Sequence, residues 1–210
     1  MSIKTIFFSI IFLVLLLSCN SPFTPKPKGY FKIDFPQHSY QTFNEPGFPY
    51  SFEYPSYATI SKQVDSSVQQ PYWLNIEFNQ FNGKIYLSYK SVNGYSVYKI
   101  KTQQGYEDSL SKNSFDQLRD EAFNMTYKHT IKASGIVDSF FRNKPGYAGM
   151  YFYVAGNAAT SKQFFVTDSV KHFLRGALYF DATPNEDSIR VVSDFLEADV
   201  KHLIQTLTWK

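Results

Sequence analysis

Two stretches of this chain, residues 150–154 and 174–180, are apolar at odd and even positions alike. A strand sends successive side chains to opposite faces of its sheet, so these strands need cover on both. The cover must be helices. The chain offers one near its end, where Val192, Leu196, Val200, Leu203 and Leu207 form a stripe at helical spacing, widened by Phe195 and Ile204. That places a C-terminal helix at about residues 187–207, with Asp194, Glu197, Asp199 and Lys201 largely off the stripe. A second helix is predicted over residues 114–127. Ser114 and Gln117 make a capping box there, and Phe115, Leu118, Ala122 and Met125 recur at helical spacing.

The remaining strong signals are strands. Residues 50–54 alternate and stop at Pro55, and residues 72–78 put Tyr72, Leu74, Ile76 and Phe78 on one face. After the Asn82-Gly83 turn, Ile85, Leu87 and Tyr89 share a face, which predicts a hairpin. Further strands are expected over residues 131–141, 147–155, 163–167 and 173–180; residues 97–113 carry no clear pattern. The fold class is therefore α+β: a mainly antiparallel sheet packed by at least two helices, in one globular domain over residues 30–210.

The N-terminus is different in kind. Thirteen of the first 18 residues are apolar and only Lys4 is charged. The uninterrupted run from Ile10 to Leu17 suits a secretory signal peptide and is short for a transmembrane helix, which needs about 20 residues. It ends in Leu16-Leu17-Ser18-Cys19, the lipobox pattern, so residues 1–18 are expected to be removed and Cys19 to carry the lipid. Each buried methylene adds about 0.8 kcal/mol, so several acyl chains (palmitate or similar) on one residue hold a protein to a membrane. Residues 19–29 follow as lipidated Cys and tether. Three prolines in the ten residues after Cys19 favour an extended form reaching about 30 Å.

Composition then excludes several classes. Cys19 is the sole cysteine, so an intrachain disulfide and a four-cysteine metal site are ruled out. Net charge is +3, or +2 once Lys4 is gone, too balanced to argue for a nucleic-acid partner. None of His38, His129, His172 and His202 has metal-ligand spacing; His202 reads as solvated and His129 as capping helix carbonyls. Asp168, Ser169 and His172 have the types of a triad but read as a polar turn, and no nucleotide-binding glycine pattern occurs. The sequence thus calls for no catalytic residue, metal or cofactor.

Arg175 stands out because it lies mid-strand beside Phe173, Ala177 and Tyr179, where a charge needs a partner. Asp168, Asp181 or a carboxylate on another strand is the expected one, as a structural ion pair or an interaction anchor. The 21 Phe and 16 Tyr mostly fill the core; Trp73 and Tyr86 are candidates for an aromatic contact surface, to a partner or stacked on glycan.

Read together, these segments resemble the gliding-motility lipoprotein GldD family of the Bacteroidetes over nearly the whole chain. The resemblance rests on the lipobox at Cys19 and on Gly29-Tyr30-Phe31-Lys32-Ile33-Asp34-Phe35-Pro36, Pro49-Tyr50-Ser51-Phe52-Glu53-Tyr54-Pro55 and Gly83-Lys84-Ile85-Tyr86-Leu87-Ser88-Tyr89-Lys90. It continues through Gln163-Phe164-Phe165-Val166-Thr167-Asp168-Ser169 and His172-Phe173-Leu174-Arg175-Gly176-Ala177-Leu178-Tyr179-Phe180. It implies a non-enzymatic cell-envelope accessory of the gliding machinery and its associated type IX secretion system. Only Cys19 carries over as a functional residue. Surface-exported lipoproteins of that group tend to carry an acidic cluster after the cysteine; its lack here predicts a periplasm-facing body. The alternative reading is a glycan- or small-ligand-binding periplasmic lipoprotein with a tyrosine-rich groove. An envelope hydrolase comes third and would require a triad or paired-carboxylate geometry.

Overall fold

The computed structural model describes residues 32–62 and 72–210. The chain divides into two units, Met1–Ile33 and Asp34–Lys210, and only Lys32 and Ile33 of the first are among the described residues. The expected leader, Cys19 and tether lie outside them.

The second unit is built on a seven-stranded antiparallel sheet. Its spatial order is β3 (Thr59–Lys62), β4 (Leu74–Phe78), β5 (Gly83–Ser91), β11 (His172–Phe180), β10 (Thr160–Thr167), β9 (Ala148–Gly156), β8 (Ala133–Arg142). A three-stranded sheet joins β2 (Tyr50–Pro55) to β1 (Tyr40–Phe43) on one side and β12 (Thr208–Trp209) on the other. Strands β6 (Tyr95–Thr102) and β7 (Gly105–Lys112) form a separate two-stranded ribbon. The helices are α1 (Phe115–Tyr127) and α2 (Glu186–Thr206).

Period-two patterning sets the registers. Leu74 lies opposite Leu87 and Ile76 opposite Ile85, so the hairpin β4–β5 presents one apolar face. Asn82 takes the left-handed conformation at its turn, with φ 47°. Leu174, Leu178, Phe164, Val166, Ile85 and Leu87 form the main core with Leu196, Val200, Leu203 and Ile204 of α2. On the opposite face, Phe152, Phe165 and Phe173 pack against Leu118 and Ala122 of α1. Both faces of the sheet centre are thus covered by helices, as its two-sided apolar strands require. Burying each such side chain contributes about 1.5–3 kcal/mol. Helix α1 starts where its cap dictates: the Ser114 hydroxyl accepts the Gln117 N–H at 3.2 Å.

Gly176 lies opposite Phe164 on the neighbouring strand, and a β-carbon there would stand 2.3 Å from that ring.

Three expectations need correction. Residues 97–113 are mostly the β6–β7 ribbon, whose polar-rich alternation hid it. Asp199, expected largely off the apolar stripe, is nevertheless buried and holds His38 Nδ1 at 2.8 Å, the Tyr40 hydroxyl at 3.1 Å and the Tyr57 hydroxyl. Burial, then Asp199, pushes the Tyr40 phenol up to about 12. His202 is not simply solvated either: it lies 2.6 Å from Glu53 and stacks on Tyr40 at 3.5 Å between ring centroids.

Candidate functional site

Strands β5 and β11 turn their other side chains toward α1. Tyr86, Ser88 and Lys90 come from β5, and Phe173 and Arg175 from β11. Because Leu118 and Ala122 fill the space over Phe152, Phe165 and Phe173, the flank of α1 nearer β4 and β5 is left open. A cavity of about 200 Å³ results, with Trp73 at its outer wall and Glu121 and Met125 on its helical side.

Each polar wall is held in place. The Trp73 indole N–H donates to the Tyr89 carbonyl at 2.9 Å, which fixes the ring. Lys90 Nζ lies 3.0 and 2.9 Å from the two oxygens of Glu121, so these charges neutralise one another. The Tyr86 ring, 40% exposed, meets Tyr179 edge-on at 5.6 Å.

Arg175 is the exception. Its guanidinium donates to Gln163 Oε1, a neutral amide, and sits beside the Tyr179 phenol. No carboxylate lies within ion-pairing distance of it among the described residues. Burial lowers its pKa, with Tyr179 and Glu121 opposing. The Thr126 hydroxyl lies 2.9 Å from the Ala122 carbonyl and 3.1 Å from the same Gln163 oxygen, whose orientation is set by the guanidinium, a group that can only donate. Gln163 is fully buried, and its Nε2 has no acceptor. His129, beyond Tyr179, has its Nε2 3.5 Å from the Tyr179 hydroxyl; it faces this cluster instead of capping helix carbonyls. Burial and Arg175 together lower its pKa.

Of the residues singled out from the sequence, Arg175, Trp73 and Tyr86 all line one cavity. Asp168 is elsewhere. Its carboxylate accepts the backbone N–H groups of Val170, Lys171 and His172 at 3.0, 2.8 and 2.8 Å, closing the β10–β11 turn. Burial opposes ionisation there, but those three donors win and hold the carboxyl below its ordinary range. The expected Arg175–Asp168 ion pair does not form, because the turn consumes the acid and the strand carries Arg175 away from it. His172 is buried, bonded to the Tyr89 hydroxyl at 2.8 Å and stacked on Trp209, so Asp168, Ser169 and His172 do not assemble a triad. Sequence reasoning missed Gln163, Lys90, Glu121 and Thr126. The one signal was a glutamine leading directly into the apolar run Phe164-Phe165-Val166.

A second surface is the β6–β7 ribbon. Cross-strand pairing puts Tyr95, Val97, Lys99 and Lys101 on one face with Lys112, Leu110, Asp108 and Tyr106. Tyr95, Tyr106 and Leu110 are each about two-thirds exposed or more (67%, 73% and 67%). At the ribbon's base, buried Asn113 donates to Ser96 Oγ at 2.8 Å and to the Ser91 carbonyl at 3.2 Å.

Among the described residues, no cluster of His, Cys, Asp and Glu could hold a metal ion, and no helix is long and apolar enough to cross a membrane. No curated protein matches the chain in sequence. Among solved structures, the solution structure of cyanobacterial PsbP (CyanoP) from Synechocystis sp. PCC 6803 is similar at 10% identity, covering 89% of this chain and 99% of that one, with a TM-score of 0.43. The family description "gliding motility lipoprotein GldD" matches residues 20–209, nearly the whole chain, and the chain belongs to that family.

Proposed function

We propose that this gliding motility lipoprotein is a non-enzymatic accessory of the motility machinery associated with type IX secretion, anchored through acyl chains on Cys19 with its body facing the periplasm. The observation that carries a contact role is the β6–β7 ribbon. A two-stranded ribbon is marginal in water, and this one exposes Tyr95, Val97, Tyr106 and Leu110 on one face beside three lysines. Such a face suits a protein partner with apolar and acidic surface.

Cys19→Ala tests the anchor: the protein should move from the membrane to the soluble fraction and colony spreading should fail. Tyr106→Ser with Leu110→Ser tests the contact: crosslinks to machinery proteins in intact cells should disappear while the melting temperature holds. Unchanged crosslinks in that variant sink the ribbon as the contact surface.

A second reading, capture of a small ligand, is favoured by the cavity under α1, where Trp73 and Tyr86 flank a cationic wall.

A further inference from the structure

Three charged side chains meet at that cavity: Lys90, Glu121 and Arg175. Lys90 and Glu121 cancel through two hydrogen bonds, which leaves Arg175 as an excess positive charge. Its partners are an amide oxygen and a phenol. Arg175 is half-buried and so gives up part of its hydration with no carboxylate in contact, a deficit that an anion arriving from outside would fill. The guanidinium also keeps donors in hand: its N–H groups outnumber the two acceptors beside it, the Gln163 amide oxygen and the Tyr179 phenol.

Size and walls define the rest of the ligand. About 200 Å³ is the space of six or seven waters at about 30 Å³ each, enough for one substituted ring and below the range of drug-sized sites. Trp73 and Tyr86 offer flat apolar faces, and Leu118, Ala122, Met125 and Phe173 line the remainder.

We propose that the cavity between α1 and strands β5 and β11 binds a small ring-bearing carboxylate, with Arg175 as the anion anchor and Trp73 and Tyr86 as the ring platform. This rests on the ligand-capture reading and narrows it to an anion; the ribbon contact is independent of it. Arg175 suits the role because a guanidinium can grip a carboxylate through two parallel N–H bonds.

The test uses the purified full-length chain in detergent at low salt. Two matched pairs of probes are titrated by calorimetry and tryptophan emission: D-glucuronate against D-glucose, and benzoate against benzamide. In at least one pair the carboxylate should bind at least about tenfold tighter than its neutral partner, and Arg175→Met should erase that preference. Preference within the sugar pair assigns an acidic saccharide, and within the aromatic pair an aromatic acid. Tyr86→Ser should weaken the preferred probe without removing its preference for charge. Because the matched pairs are compared on the unaltered chain, the result stands even if Arg175→Met fails to fold. Equal binding of charged and neutral members overturns the anion assignment and leaves ligand capture standing. No binding of any probe up to about 10 mM overturns both.

Discussion

Lys162 reaches from the sheet strand β10 to Glu197 on α2, with Nζ 2.5 Å from the carboxylate, although its side chain is only 1% exposed. The same ammonium lies 3.4 Å from Asp194 and over the Tyr153 ring, 4.0 Å from its centroid. A buried charge so enclosed ties helix to sheet, and the cost of breaking it falls on whichever partner remains.

Glu197→Gln should therefore destabilise the fold by about 3 kcal/mol at neutral pH, because it leaves a buried ammonium with one longer contact. Lys162→Met, which keeps volume and removes the charge, should cost much less. Urea midpoints for the two variants check the ordering.

The same pair predicts an acid dependence. Burial raises the Glu197 pKa, but hydrogen bonds from Lys162 and Lys201 outweigh it, so the folded carboxyl sits below its usual range. A depressed folded pKa gives stability that is complete above the unfolded value and is lost as pH falls through the folded one. The stability gap between the unaltered chain and Glu197→Gln should thus be constant above about pH 5 and close as pH falls below about 4. Denaturant midpoints across pH 3 to 7 measure it.

Asp199→Ala removes the acceptor shared by His38, Tyr40 and Tyr57 and strands those groups against α2. A loss of about 3 kcal/mol is expected, or about 6–12 °C in melting temperature. The Tyr40 phenol, held at about 12, should titrate at lower pH in the variant, read by phenolate absorbance.

Gly176→Ala would drive a methyl group into the Phe164 ring at the centre of the sheet. Overpacking of this kind costs about 1–3 kcal/mol, so the variant should fold with a lowered melting temperature.

The ribbon should behave as a separate, weaker unit. Backbone amides of β6 and β7 should exchange far faster than those of β10 and β11, and Asn113→Ala should speed proteolysis within residues 95–112 while leaving global unfolding nearly unchanged.

Much of this architecture was readable from local chemistry. Ser114 and Gln117 located the start of α1, the Val192–Leu207 stripe located α2, and alternation around Asn82-Gly83 gave both strands and register of β4–β5. What was hidden depended on partners distant in sequence. Asp199 lies three residues after Leu196 and four before Leu203, on the flank of the apolar stripe, but only the arrival of His38, Tyr40 and Tyr57 shows why a carboxylate is tolerated there. Arg175 announced itself as a charge mid-strand. Its partner is an amide on the neighbouring strand, a residue type that charge-based reasoning does not search for. The ribbon was missed because its alternation sorts aromatic and lysine residues onto the same face, leaving no apolar period to detect.

The position of β11 between β5 and β10 has a consequence for how the chain comes to be folded at all. The register joins Gly83 to Phe180 and Ser91 to His172, so the block β3–β5 has no central neighbour until the last third of the chain is present. Helix α2, which covers that seam, comes later still. Pairing across such separations is slow, so a chain emerging N-terminus first stays open until its end is available. The centre of the sheet and its helical cover therefore lock together last, in a single late step.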